Sequence, residues 1–349
     1  MTKQLNVGFV GTGIFAKEVH LPNYQSKPEH YKPTAAFNRT KAKAEQFAEI
    51  AGIDNSKVHN SLDEIIADPD VDFLDVLLPV ENNLDVVTKA IKHNKPVVIE
   101  KPIAANIEQA RKIVQLDESS STPILIAEQW LYFKAIEEIK QRLPKIGQIL
   151  SFTYRSTGPF RKSSQYLNTS WRLKPNHIGG YLSDGGVHQL AVLTGVLGEI
   201  ESISALTKQV REESGTDDIL FSTLKTKDGA IGTFTYGSAF GSTEKHGSFI
   251  IFGLNGSITL DFSAGKPKTL NVKVGSFGED VPDEETIEIK ESSPPGIPDE
   301  FENFYQSIVN NDKSLLLAKP RVAFHHLAII DAALKSSKAN GDHIKVEEP

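Results

Sequence analysis

The stretch VGFVGTGIFAKEVHLP, residues 7–22, is the most informative about the fold of the first part of the chain, because glycines interrupt an apolar run there. The apolar residues from Leu5 to Val10 predict a short buried strand, and a segment of helical length follows the glycines. Only Lys3 precedes the run and no small-residue cleavage pattern follows it, so we do not expect an export signal. The bare backbone at the glycines needs another explanation.

A dinucleotide-binding loop explains these glycines. In a turn between a strand and a helix, Gly11 makes the tight bend, Gly13 lets a pyrophosphate approach the backbone, and Ala16 lets the helix pack closely on the strand. The N-terminus of the following helix attracts phosphate groups. The loop, which includes Ile14 and Phe15, is therefore predicted to bind a nucleotide; a glycine-rich turn that serves packing alone is the alternative.

The composition is typical of a globular protein that acts on small molecules. The length of 349 residues favours two domains, which we place at residues 1–127 and 128–349. A net charge of -7 without a block of Lys and Arg argues against a nucleic-acid surface, and no apolar run is long enough to cross a membrane. The absence of cysteine excludes disulfides and fits a reducing compartment, so we expect a cytoplasmic protein.

Strands and helices alternate through the first third of the chain. The segments PTAAFN, VDFLDVLLP, KPVVIEKP and PILIAEQ predict strands, and patterns of helical period lie between them. Such alternation indicates a doubly wound parallel sheet of the Rossmann type. The fold class of this part is therefore predicted to be α/β.

The end of the second predicted strand indicates which cofactor is bound. An Asp or Glu there would accept hydrogen bonds from the adenosine ribose 2′-hydroxyl, but the sequence is Asn38-Arg39-Thr40, followed by Lys41 and Lys43. Arg39 could stack on adenine or fork onto a 2′-phosphate, and Asn38 and Thr40 could hydrogen-bond the same phosphate. The pattern favours NADP(H) over NAD, and an ordinary helix start with exposed basic residues is the alternative.

The triplet Glu100-Lys101-Pro102 follows another predicted strand. Ligands of doubly wound sheets bind outside the carboxyl ends of the strands, which is where Lys101 emerges. A lysine there can donate a hydrogen bond to a substrate oxygen and stabilise its charge during hydride transfer, while Pro102 holds the turn. From position alone, a surface lysine at a sharp strand exit explains the triplet equally well.

Taken together, the motifs GTGIFA, FNR, LLPVENN at 77–83 and EKP resemble the Gfo/Idh/MocA family of nicotinamide-dependent oxidoreductases. The resemblance extends across nearly the whole chain, since the second half contains WR and then GGYLSDGGVHQL at 179–190, which is similar to a glycine-rich helix start of that family. It implies catalytic roles for Lys101, Asp184 and His188. It also implies cofactor contacts in the glycine-rich loop and at Pro79, Asn83, Glu100, Lys101, Trp171 and Arg172.

The spacing of Asp184 and His188 also has a physical meaning of its own. Four residues apart on a helix, the two side chains lie on one face, and Gly185 and Gly186 leave room for a close neighbour. His188 can donate or accept a proton at neutral pH, and Asp184 can orient substrate hydroxyls, Lys101 or the imidazole. Without the resemblance, an Asp-His pair on a helix surface is the simpler interpretation.

The second half of the chain is rich in β-structure. Asp228-Gly229 and Asn255-Gly256 each separate two β-rich runs and predict two-residue hairpin turns. The runs indicate an α+β domain with a large, mostly antiparallel sheet, partly covered by the Asp184 helix. The resemblance implies that such a sheet often mediates dimer formation, so we expect a homodimer. No histidine has a partner at metal-binding spacing, and no metal is expected.

The sequence therefore predicts an NADP(H)-dependent oxidoreductase that moves hydride between nicotinamide C4 and a carbonyl or secondary alcohol carbon. Sugars, polyols, diols, aldehydes and ketones all fit, and the resemblance does not choose among them. A cofactor-binding sensor that keeps the fold without turnover is the main alternative. Retention of Lys101, Asp184 and His188 favours the enzyme, because a sensor has no chemical need for all three.

Overall fold

The computed structural model describes residues 3–160, 175–241, 243–275 and 283–349. The chain divides into two compact units. The first consists of Met1–Glu128 together with Ile297–Phe324, and the second of Gln129–Gly296 together with His325–Glu348. The segment Ile297–Phe324 thus returns to the first unit, and the chain re-enters the second unit at His325.

The first unit contains a six-stranded parallel sheet with the strand order β3-β2-β1-β4-β5-β6. The order reverses beside β1, as in a dinucleotide-binding Rossmann sheet, which confirms the predicted fold class. The strands are β1 Leu5–Val10, β2 Tyr31–Phe37, β3 Val58–His59, β4 Phe73–Val76, β5 Val97–Glu100 and β6 Ile124–Ala127.

Helices connect these strands, and two of the helices begin at a capping side chain. The Ser61 side chain accepts a hydrogen bond from Glu64 N, and Asn106 accepts one from Gln109 N, so each satisfies a backbone donor that the first helical turn leaves unpaired. A π-helical turn, Ala16–His20, follows the glycine-rich loop. The α-helices are α1 Leu21–Gln25, α2 Lys41–Ala51, α3 Leu62–Ala67, α4 Asn83–Lys92 and α5 Ile107–Glu118.

The second unit contains a nine-stranded sheet with the order β14-β13-β12-β11-β7-β10-β9-β8-β15. Its paired strands are antiparallel except for β7 and β10, which run parallel, so the prediction of a mostly antiparallel sheet is confirmed. The strands are β7 Ile149–Pro159, β8 Ile200–Lys208, β9 Ile219–Thr226, β10 Ile231–Phe240, β11 His246–Gly253, β12 Gly256–Asp261, β13 Thr269–Val274, β14 Asp283–Glu288 and β15 Ile344–Lys345.

The two hairpins form, but neither has the predicted turn. The β11–β12 turn consists of Leu254 and Asn255, one residue earlier than expected, because Gly256 already pairs with Gly253. A Cβ at Gly256 would lie 2.0 Å from Lys273 O, so the glycine serves the close approach of β13 instead of the turn. The connection around Asp228-Gly229 spans four residues, 227–230.

Two helices of the second unit pack against one face of this sheet. They are α6 Lys134–Ile146, which contacts β12 and β13, and α7 Tyr181–Leu197, which contacts β9 and β10. On the opposite face Leu206, Phe221 and Ile231 are 59%, 50% and 61% exposed. The sheet therefore has one covered face and one partly apolar open face. The remaining helices are α8 Ile297–Val309 and α9 Pro320–Lys338.

Within the described ranges, no helix is both long enough and apolar enough to span a bilayer.

Candidate functional site

The bend of the glycine-rich loop requires glycine at position 11. Gly11 has a φ of +96°, a conformation that side chains with a Cβ rarely adopt. A Cβ there would lie 2.5 Å from Leu77 O, and the Gly11 amide donates a 2.8 Å hydrogen bond to Phe37 O. The residue is thus fixed between the ends of β2 and β4.

Gly13 occupies a different environment from Gly11. It is exposed, and a Cβ built on it would meet no protein atom within 4 Å. Ile14 beside it is 46% exposed although it is a large apolar residue, whereas Ala16 is fully buried in the packing of the π-helical turn. The loop therefore leaves open, at the carboxyl end of β1, the space that a pyrophosphate occupies in dinucleotide-binding folds.

The three residues after β2 divide into one inward and two outward side chains. Asn38 Nδ2 donates to Thr12 Oγ1 at 3.0 Å, and Asn38 Oδ1 accepts from Thr40 N at 3.0 Å. The Asn38 amide therefore ties the glycine-rich loop to the start of α2. Arg39 and Thr40 are exposed, and the Thr40 hydroxyl makes no capping hydrogen bond to the helix.

The start of α2 carries positive charge where helices usually carry negative charge. Its first turn contains no acidic residue, and Arg39, Lys41 and Lys43 lie at or next to that end. Unpaired amides give a helix N-terminus a partial positive charge, so cations there are unfavourable unless an anion is bound. The arrangement is suited to an additional phosphate.

Lys101 directly follows the last residue of β5, in a turn whose backbone carbonyl groups are bound by the Asn83 side chain. The buried Asn83 Nδ2 donates to the carbonyl oxygens of Glu100, Pro102 and Ile103 at 3.2, 3.3 and 3.2 Å. The peptide bond between Lys101 and Pro102 is cis, and Lys101 is half-buried. Asn83 thus acts first as a clamp on the turn.

The side chain of Asn83 keeps one group for a ligand. Its Oδ1 is buried and has no hydrogen-bond partner among the described residues. A buried acceptor without a partner is costly, and an amide N–H of a ligand would satisfy it. Pro79, the other predicted contact after β4, is exposed.

In the second unit, Asp184 and His188 lie one turn apart near the start of α7. Gly179 and Gly180 precede the helix with φ values of +75° and +45°, and Thr216 Oγ1 accepts a 3.0 Å hydrogen bond from Tyr181 N. Both Asp184 and His188 are partly exposed. A carboxylate in the first turn is also favoured by the helix dipole.

Aromatic residues surround this pair on α7. The Trp130 ring stacks on His188 with centroids 5.3 Å apart and an interplanar angle of 20°. The Tyr236 hydroxyl occupies the place of a Gly185 side chain, since a Cβ there would lie 1.9 Å from its oxygen. Burial and the neighbouring Tyr181 and Asp184 raise the pKa of Tyr236, so its hydroxyl stays protonated.

Tyr236 and Trp130 both lie beside α7, and Tyr236 comes from a distant part of the chain. Tyr236 reaches the helix from β10, about fifty residues away along the chain, so no local pattern indicates it. The glycine at 185 is the sequence signal that points to a close neighbour. Arg155, which also lies in this sheet, is exposed on the face opposite to Tyr236.

The predicted site residues thus fall into two groups. The first unit contains the residues of the glycine-rich loop and, in addition, Asn83, Glu100 and Lys101. The second unit contains Asp184 and His188. Trp171 and Arg172 lie outside the described residues. In the described part of the chain, no group of three or more His, Asp or Glu side chains is arranged to hold a metal ion.

Comparisons with known families agree with this division. Residues 5–127 match the family described as "Oxidoreductase family, NAD-binding Rossmann fold". Residues 137–346 match the one described as "Oxidoreductase family, C-terminal alpha/beta domain". Together the two matches cover most of the chain.

Individual relatives are similar over nearly the full length. An uncharacterized protein of Saccharomyces cerevisiae, YMR315W, is 53% identical over 346 residues, which are 99% of each chain. The crystal structure of an oxidoreductase from Thermotoga maritima is 32% identical, with a TM-score of 0.84 and coverage of 99% of each chain. A levoglucosan dehydrogenase in complex with NADH shares the fold with a TM-score of 0.84 at 20% identity, covering 99% of this chain and all of the other.

Proposed function

The chain belongs to the Gfo/Idh/MocA family of oxidoreductases, which bind a nicotinamide cofactor, and from this premise we propose that it is an NADP(H)-dependent dehydrogenase or reductase. The observation that carries the proposal is the combination of an open glycine-rich loop after β1 with Lys101 after β5, two strands away at the same edge of the same sheet. The substrate offers a carbonyl or a secondary alcohol.

The chemistry of the reaction assigns a role to each predicted side chain. A bound nicotinamide supplies or accepts hydride at C4. Lys101 donates a hydrogen bond to the reacting oxygen and stabilises the charge that develops there. His188 exchanges the proton of that oxygen, and Asp184, one turn earlier on α7, orients the imidazole or the substrate hydroxyls.

The preference for NADP(H) is supported by the end of β2. No carboxylate stands there to accept hydrogen bonds from a ribose 2′-hydroxyl, and the exposed Arg39 and Thr40 can contact a 2′-phosphate. The cations at the start of α2 are favourable only with an anion present. The Asn38 amide is engaged by Thr12 and Thr40, so we assign it a positioning role in this site.

The substrate is a small polar molecule. A sugar or polyol is favoured by the similarity to a levoglucosan dehydrogenase, while aldehydes, ketones and diols present the same reacting group.

We also propose that the protein is a homodimer in a reducing compartment such as the cytoplasm. A second copy would cover the open face of the large sheet, where Leu206, Phe221 and Ile231 are each at least half exposed. The chain contains no cysteine.

The experiment that tests the function follows the absorbance of NADPH and NADH with a panel of aldoses, aldehydes, ketones and polyols. We expect turnover with NADPH and a loss of turnover in Lys101→Met, with NADPH binding retained. Tight NADPH binding by a wild-type protein that converts no member of the panel would instead favour the sensor.

A further inference from the structure

A buried histidine lies directly behind the Lys101 turn. His20 is the last residue of the π-helical turn that follows the glycine-rich loop, and it is 3% exposed. Single π-turns inside helices are rare and occur often at functional sites. The reaction as proposed above does not use His20.

Both ring nitrogens of His20 face carboxylates. Nδ1 lies 2.8 Å from Asp75 Oδ2 and 3.1 Å from Asp75 Oδ1, and Nε2 lies 3.1 Å from Glu100 Oε1. A neutral imidazole has one nitrogen without a proton, and that nitrogen would oppose a carboxylate oxygen. With both carboxyl groups ionised, the geometry requires an imidazolium that donates from both nitrogens. Burial opposes the charge, but Asp75 and Glu100 outweigh it and raise the pKa of His20 to about 10.

Two members of this ion triad, His20 and Asp75, are buried, and Glu100 is partly exposed. Asp75, on β4, is fully buried, and the rings of Phe15 and Phe301 pack against the imidazole with centroids 5.2 and 5.1 Å away. In such an environment charges interact strongly, and an unpaired one is costly.

The other ionisable groups near the triad do not compete for the proton of His20. Glu300, which approaches from α8, is buried, and its pKa is raised by burial and by the charges of Glu100 and Glu128. These effects favour the neutral form of Glu300, whose carboxyl accepts a hydrogen bond from the backbone of Glu128, after β6. Tyr24, on α1, has a pKa raised by burial and by Asp75, so it too remains neutral.

Glu100 connects the triad to the proposed catalytic lysine. It ends β5 and is bonded to Lys101 through the chain, so its side chain and its carbonyl together fix where the turn begins. His20 holds the side chain, and Asn83 holds the carbonyl. The turn is therefore held from two directions.

From this geometry we propose that His20 is a positioning residue for Lys101: the imidazolium, anchored by Asp75, holds the Glu100 carboxylate and so fixes the direction in which Lys101 leaves β5. The proposal rests on the proposed oxidoreductase function. Because His20 also ends the turn that begins at the glycine-rich loop, the same contact links the cofactor loop to the lysine. A purely structural ion triad would affect stability without acting through Lys101.

The test compares His20→Gln and Lys101→Met, singly and combined, using NADPH and a substrate that the wild type converts. A displacement of about 1 Å at a reacting group can cost on the order of a hundredfold in rate, so we expect kcat of folded His20→Gln to fall roughly tenfold to a hundredfold. In the Lys101→Met background, His20→Gln should lower the small residual kcat no further, because the two residues act as one unit. The matched control is His59→Gln, which removes another His–Asp pair, 2.9 Å from His59 Nε2 to Asp68 Oδ2, at the end of β3.

Each outcome of this comparison decides something. An equal loss of kcat in both backgrounds, or unchanged kcat in His20→Gln, would overturn the proposal while leaving the role of Lys101 intact. Unchanged kcat in Lys101→Met would overturn both, since His20 cannot act through a lysine without a role.

A second measurement needs no substrate. Reductive methylation followed by mass spectrometry reports the reactivity of Lys101 relative to the other lysines. We expect His20→Gln to change the rate at Lys101 and His59→Gln to leave it unchanged. An unchanged rate in His20→Gln would contradict the proposal even if no substrate had been found.

Discussion

Replacing His20 by Gln should reduce the stability of the first unit in a way that depends on pH. The pKa of His20 rises from 6.5 in the unfolded chain to about 10 in the folded protein. Because the folded state holds the proton more tightly, the contribution is complete below pH 6.5 and is lost as the pH rises toward 10. His20→Gln has no group that titrates at this position, so the contribution is absent from it.

The structure gives the size of the effect. At 1.36 kcal/mol per pH unit, the rise from 6.5 to about 10 corresponds to about 5 kcal/mol. Breaking a buried ion pair by removal of one partner typically costs about 3–5 kcal/mol, so the two estimates agree. The difference in unfolding free energy between wild type and variant should be about 3–5 kcal/mol at pH 6.5 and shrink by about 1.4 kcal/mol per pH unit above it.

The assay is urea unfolding at pH 6 to 9, read by a short deuterium pulse on the peptide that contains β4. This peptide reports the first unit separately from the second, whose unfolding can occur at a different urea concentration. His93→Gln removes an exposed imidazole in the same unit and controls for the substitution itself. If the unfolding free energies of wild type and His20→Gln changed in parallel between pH 7 and 9, His20 would be neutral in the folded protein and the predicted stabilisation would be absent.

Three further predictions concern the cofactor, the α7 helix and the assembly. Arg39→Asp should weaken NADPH binding by about 1.5–3 kcal/mol, roughly 10- to 150-fold, and shift the preference toward NADH. The same charge change at the exposed Arg321 should do neither. Titration with both cofactors measures the two affinities, and an unchanged ratio of NADPH to NADH affinity would remove Arg39 from the site. Gly185→Ala places a methyl group 1.9 Å from the Tyr236 hydroxyl oxygen and should destabilise the second unit by about 1–3 kcal/mol. Tyr236→Phe in the same chain should restore part of this loss. Additive losses of the two substitutions in thermal unfolding would contradict the contact. Phe221→Arg should convert the dimer to a monomer, as measured by light scattering. Ile50→Arg, at a 57% exposed residue of the first unit, should leave the dimer intact. A dimer that persists in Phe221→Arg would place the interface elsewhere.

Features encoded within a short stretch of chain were predictable from the sequence. The glycine-rich loop, the strand ending at Glu100 and the helical spacing of Asp184 and His188 each depend on residues within one turn or one element. For the same reason, the parallel sheet followed from the alternation of strands and helices.

Features made by distant residues were not predictable in this way. The triad of His20, Asp75 and Glu100 joins residues 55 and 80 positions apart, which only the strand order β1-β4-β5 brings together. The hydrogen bonds from the Asn83 amide nitrogen to three carbonyl oxygens of the Lys101 turn likewise join residues 17 to 20 positions apart. The local sequence at Gly256 predicts a turn, because nothing in it shows that β13 approaches this glycine.

NADPH oxidation in folded wild type and Lys101→Met, with cofactor binding measured on both, tests the proposed function of Lys101. We expect the wild type to reduce at least one aldose, aldehyde or ketone, and Lys101→Met to bind NADPH with similar affinity but to lose nearly all of its turnover. Equal turnover by the two proteins would contradict that function.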